Sequence, residues 1–115
     1  MSLNNKAAEL LDNAAQVLLE VGWGQGAYCD EQEDKYCMLG ALHEANAVML
    51  DLGLLPRIEA GELTTYRQAR HGIRLYLGGA SPMDWNDKPG RTVAEVVEVL
   101  RNTAALLRDD GVSAT

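Results

Sequence analysis

Apolar residues recur at helical spacing in four stretches of the chain, and nowhere does an apolar/polar alternation run long enough to make a sustained strand. In the first stretch, Lys6 to Val21, one side collects Ala7, Leu10, Leu11, Ala14, Val17, Leu18 and Val21. Glu9, Asp12, Asn13, Gln16 and Glu20 fall opposite, Asn4 or Asn5 is placed to cap the start, and Gly22 to end it. A second helix is predicted from Tyr36 to Leu52, with Met38, Ala41, Leu42, Ala45, Met49 and Leu52 as its stripe and Gly53 as its stop. Thr64 or Thr65 caps a third, from Tyr66 to Leu77, closed by Gly78-Gly79. The fourth opens on Thr92-Val93-Ala94-Glu95, a capping box whose hydroxyl and carboxylate satisfy free amides at a helix start. Val93, Val96, Val97, Leu100, Ala104 and Leu107 then carry its stripe towards Gly111.

Between these helices, Leu54 to Glu62 reads as a connector with room for a helical turn after Pro56, and Gly26 to Asp34 has room for a short hairpin. Val112 to Thr115 is expected to fray. The fold class expected is therefore all-α: a compact single domain, residues 1–115, of about four helices with its ordered core over about 5–110. The apolar arcs of the first and fourth helices each span roughly half the circumference, more than one packing partner needs. Either both helices sit centrally, or one is shared with a second subunit, which keeps a homodimer open.

Composition narrows the function classes. The 115 residues are 47% hydrophobic and 23% charged, ordinary for a globular domain and too apolar for wholesale disorder. Ten Lys and Arg against seventeen Asp and Glu leave a net charge of −7. That disfavours non-specific nucleic-acid binding or docking on an anionic membrane. No apolar run approaches the roughly 20 residues a membrane span requires. The start MSLNNKAAELLD has neither a basic nor an apolar signal region, and Cys29 and Cys37 are too few for a disulfide framework. A cytoplasmic location is expected.

Five features are candidates for chemistry. Gly22-Trp23-Gly24-Gln25-Gly26-Ala27-Tyr28 has the glycines of a phosphate loop, but a helix precedes it and no Gly-Lys-Ser/Thr follows. A helix stop followed by a tight loop that tucks Trp23 inward is preferred. Cys29, Cys37, His43 and His71 are spaced too widely for a zinc framework, and Cys37 and His43 do not converge on one helix; no metal or other cofactor is expected. Cys37 sits at a helix start, where the dipole favours a thiolate, yet no base is placed beside it, and a packing role is preferred over a reactive thiol. The loop Ala80 to Gly90 echoes a calcium loop in Asp84, Asn86 and Glu95 but has Lys88 and Pro89 where a ligand and a glycine belong. It reads as a turn-rich connector anchored by Trp85, with Asp84, Trp85, Asn86 and Asp87 as candidate contacts. Finally, Arg67, Arg70 and Arg74 lie within roughly 60° of one helical face at about 100° per residue. His71 lies beside them, and no acid occurs between Thr64 and Ser81. This stripe is a candidate partner- or anion-binding surface, set against a solvated face that balances the acidic helices.

Four segments together carry a resemblance: Gly22 to Tyr28, Tyr36-Cys37-Met38-Leu39-Gly40-Ala41-Leu42, Trp85-Asn86-Asp87, and Gly90-Arg91-Thr92-Val93-Ala94-Glu95-Val96-Val97. In this order they resemble an uncharacterised domain-of-unknown-function family of actinobacteria and their bacteriophages, from about Lys6 to Arg108. The stretch between Ala45 and Ser81, which holds the arginine stripe, matches least. The resemblance implies an intracellular actinobacterial or phage setting and brings no mechanism with it.

No nucleophile, base and orienting group can be assembled by spacing. The expectation is a non-enzymatic binding or regulatory protein acting on a protein partner. The alternative is a small-ligand module or an enzyme using the Cys37 region or the Trp85-Asp87 loop. Nucleic-acid binding through the arginine stripe ranks third.

Overall fold

The amphipathic stretches fold as helices in the computed structural model, which describes residues 3–26, 29–30, 35–55 and 64–108. The order is α1 (Leu3–Glu20), β1 (Cys29–Asp30), β2 (Lys35–Tyr36), α2 (Met38–Asp51), α3 (Thr65–Tyr76), α4 (Pro82–Asn86) and α5 (Val93–Arg108). The fold is all-α, as the periodicity predicts. The connector after Leu55 and the tail lie outside the described residues.

α1 is the central helix. Ala7, Ala8, Leu10, Leu11, Ala14 and Ala15 are completely buried, and the helix packs against α5, α2 and α3. Most of its wide apolar arc is thus covered by three neighbours in the same chain, while Val21 at its end stays exposed. α5 likewise buries Val96, Val99, Leu100, Ala104 and Leu107 against α1 and α3. Small side chains set the spacing: a methyl group added at Gly72 of α3 would stand 3.0 Å from Thr103 Cγ2 on α5. Polar contacts also tie other parts of the chain to α1. Gln68 donates from Nε2 to Asn4 Oδ1 at 2.7 Å, and Arg108 pairs with Asp12 at 2.8 Å on the surface.

Helix ends follow the residues that terminate them. α2 and α3 both close with a glycine in the left-handed region, Gly53 at φ 74° and Gly78 at φ 72°. Leu54 then donates to the Met49 carbonyl, and Gly79 to the Arg74 carbonyl, the six-residue closure that absorbs orphan carbonyls. Thr64 caps α3 by accepting from the Arg67 amide at 3.1 Å. The Thr92–Glu95 box opens α5.

Four boundaries differ from expectation. α1 begins at Leu3, so Asn4 lies inside the helix, 8% exposed, and bonds across to Gln68 instead of capping. α2 begins at Met38, because Tyr36 is taken by β2 and Cys37 is extended at φ −79°, ψ 175° as the cap. The short hairpin does form, pairing Cys29 with Tyr36 and Asp30 with Lys35, so its second strand lies just beyond the 26–34 window. The loop after Ala80 is not a plain connector. Ser81 accepts from the Asp84 amide at 3.4 Å and Pro82 takes the first helical position, which together start the one-turn α4. Among the described residues no helix is long and apolar enough to cross a membrane.

Candidate functional site

Three of the motif segments that stand far apart in the chain meet at one side chain, Asn86, at the end of α4. It is 1% exposed. Its Oδ1 accepts from the Trp23 indole at 2.7 Å and from the Met38 backbone amide at 3.0 Å. Its Nδ2 donates to the Gly24 carbonyl at 3.3 Å and to Asp87 Oδ1 at 3.0 Å. Asp87 Oδ1 also accepts from the Gly26 amide at 2.9 Å, and Gln25 donates to the carbonyls of Asn86 and Lys88. The glycine segment therefore wraps the end of α4. Its carbonyls and amides face Asn86, Asp87 and β2, where Tyr36 bridges Gly22 and Gly24.

This geometry revises the candidate contact loop. Asn86 is not an exposed contact residue but a buried junction with both ends of its amide engaged. Trp85 is half-buried, and its ring is covered by the Arg91 guanidinium, 3.7 Å from the ring centroid. Arg91 is held there by the Trp85 carbonyl and Glu95. Asp87 is solvent-exposed, and its Oδ1 accepts from both Gly26 and Asn86. Those two hydrogen bonds, Gly26 first, hold its carboxyl below the usual carboxylate range. Of the four, Asp84 and Asp87 are exposed. Glu95 of the calcium-loop echo is committed to the Thr92 amide and hydroxyl, and the Thr92 amide above all lowers its carboxyl. Among the described residues, no group of three or more His, Cys, Asp or Glu side chains is placed to hold a metal ion.

Cys37 is buried, 6% exposed. As the α2 cap its Sγ accepts from the Gly40 amide at 3.3 Å. The helix-start argument favoured a thiolate, but burial pushes the thiol up and outweighs the lowering by the Gly40 and Leu39 amides. Burial thus works against a reactive thiol and favours the packing role: desolvation exceeds the lowering by the helix-start amides here. The Cys29 side chain lies outside the described residues.

The arginine stripe is where the spacing put it. Arg67, Arg70 and Arg74 are exposed on α3 and His71 half-buried, and all four line a depression of about 270 Å³ closed by Pro82 at the start of α4. Among the described residues no carboxylate lies within ion-pair distance of Arg70 or Arg74. The structure thus brings together all four members of this candidate site.

Arg70 also borders a second, larger groove of about 560 Å³. One wall is Tyr36 with Glu44, joined by a 3.2 Å hydrogen bond from the phenol to the carboxylate. The other is Tyr66 with Arg70, whose guanidinium lies 5.7 Å from the ring centroid. His43 meets the Tyr66 ring edge-on at 6.2 Å, and Gly40 and Ala47 complete the lining. Sequence reasoning missed this groove. Tyr66 and Arg70 are four residues apart on one helix, as are His43 and Ala47 on another, but no local signal says that those two faces oppose each other.

A family model described as a family of unknown function, DUF6197, matches residues 3–106. No curated protein matches the chain, and no solved structure does. The matched span takes in all of the segments gathered around Asn86 and both faces of α3. The chain therefore belongs to the family of unknown function DUF6197.

Proposed function

We propose that this protein is a non-enzymatic binding protein that docks an acidic segment of a protein partner on the basic face of α3. One observation carries the reading: Arg67, Arg70, His71 and Arg74 line a single depression in a chain of net charge −7. Guanidinium groups grouped in this way suit carboxylates, which they bind through paired hydrogen bonds. The burial of Cys37 and the internal commitments of Asn86, Asp87 and Glu95 support a non-enzymatic role, because they leave the conspicuous motifs with structural work. The motif resemblance supports an actinobacterial or phage setting in the cytoplasm.

The test is titration of a fluorescently labelled glutamate-rich peptide with the wild type and with the Arg67→Ala/Arg70→Ala/Arg74→Ala variant, melting being followed in parallel. Binding that weakens with salt and disappears in a folded triple variant is expected. Equal binding by the two proteins overturns the reading. Displacement of the peptide by duplex DNA, with a steep slope of log affinity on log salt, would move it to nucleic acid.

A further inference from the structure

The groove between β2, α2 and α3 differs in chemistry from the basic depression beside it. Its volume, about 560 Å³, lies within the range of small-molecule sites. It is bounded by two tyrosine rings and by Ala47 and Gly40, so its walls suit a flat apolar body. Its two charged side chains come from different helices. Glu44, on α2, is engaged by the Tyr36 hydroxyl. Arg70, on α3, lies against Tyr66, with Arg67, His71 and Arg74 in the adjoining depression. Positive potential is thus concentrated at the Arg70 side, and a carboxylate repels anions at the other. A ligand with one anionic end and an aromatic body satisfies both halves of this arrangement.

We infer that the groove lined by Tyr36, His43, Glu44, Tyr66 and Arg70 is a binding site for a small aromatic carboxylate, its ring against the tyrosines and its carboxylate on Arg70. The site is separate from the docking face proposed above and shares only Arg70 with it. The guanidinium, already held over the Tyr66 ring, is pre-positioned to take a carboxylate without losing that contact. The Tyr36 hydroxyl, bonded to Glu44, keeps that carboxylate on its own wall.

The probe is 2-naphthoate, with neutral 2-naphthamide as its control, titrated calorimetrically into the full chain and followed by amide chemical shifts. Naphthoate is expected to bind at least tenfold more tightly than naphthamide and to shift amides around His43, Glu44 and Tyr66. Arg70→Gln should bring naphthoate down to the affinity of naphthamide and leave naphthamide unchanged. Ala47→Phe, which fills the groove from a half-exposed helix position, should abolish both; Tyr66→Ala serves the same purpose should the first variant melt early. Arg74→Ala should leave naphthoate binding unchanged while weakening the glutamate-rich peptide, so the two readings can fail separately. Equal affinity for naphthoate and naphthamide, shifts confined to other parts of the chain, or undiminished binding by folded Ala47→Phe would each overturn the inference. So would the absence of any binding at millimolar naphthoate.

Discussion

The Asn86 amide oxygen takes the Trp23 indole N–H at 2.7 Å across sixty-three positions of sequence, and that bond closes the loop after α1 onto the end of α4. The same oxygen holds the first amide of α2. One buried side chain thus joins the loop after α1, the start of α2 and the end of α4. Removing it would leave the indole, the Met38 amide and the Gly24 carbonyl without their partner. A buried polar group stripped of its bond costs about 1–3 kcal/mol, and these groups share one site, so the costs do not simply add. Asn86→Ala should lower the unfolding free energy by about 3 kcal/mol in a urea titration, drawing on that range. A loss near that of an ordinary surface substitution would show that the junction is dispensable.

Cys37 provides a pH-dependent test of the same region. Burial raises its thiol in the folded chain above the ordinary value of 9.0. The stability it contributes is then fully present below the unfolded thiol's value and lost as pH rises through the folded one. Urea midpoints of the wild type should fall on the alkaline side of about pH 9 more steeply than those of Cys37→Ser. In neutral buffer the native thiol should react with a disulfide reagent far more slowly than the unfolded one. Rapid labelling of Cys37 with the fold retained would restore a reactive role.

Asp87 acts at the other end of the pH scale. Its carboxylate, bonded by the Gly26 amide and by Asn86, is held below the ordinary value of 3.8. The contribution is present above the unfolded aspartate's value and is lost as pH falls through the lower folded one. Asp87→Asn should therefore be less stable than the wild type near neutrality, and the difference should shrink as the pH falls below about 4. An unchanged gap across that range would mean the ionised form has no advantage in the folded state.

The contact of α3 with α5 yields a packing prediction. Ala is the better helix former by about 1 kcal/mol, yet a Cβ at Gly72 meets Thr103 Cγ2 at 3.0 Å and Leu107 Cδ1 at 3.3 Å. Overpacking of this kind costs about 1–3 kcal/mol, so Gly72→Ala should be net destabilising, and Thr103→Ser, which removes the crowding methyl, should recover part of the loss. The Thr103 hydroxyl is buried with no partner among the described residues. Thr103→Val keeps the methyl and drops that hydroxyl, and should raise stability by about 1 kcal/mol. Chemical unfolding of the wild type, Gly72→Ala, Thr103→Ser and their double variant as a cycle measures the first effect, and Thr103→Val against the wild type measures the second.

Elements written in local chemistry were legible before folding. The stripes of α1 and α5, the Thr64 cap, the Thr92–Glu95 box and the stops at Gly53 and Gly78 depend on residues within four or five positions of each other, where spacing alone fixes who meets whom. The arginines of α3 belong to the same class, since one helical face is a local property. Ser81-Pro82 is equally local, a cap and first-turn proline whose helix-start signal is masked by the neighbouring Asp and Asn residues that suggest turns.

What only the tertiary structure decided is which distant faces oppose each other. Nothing near Asn86 in sequence announces that it will be buried against Trp23 and Met38, and without that burial it reads as a loop residue. Cys37 could be placed at a helix start by pattern, but the balance between dipole and desolvation depends on how deeply neighbouring elements cover it. The tyrosine-walled groove exists because α2 and α3 bring Glu44 and Arg70 to the lining of one space. Periodicity determines which side of each helix is apolar; packing all of those sides around α1 determines which polar residues are left facing one another, and that is a property of the assembled core.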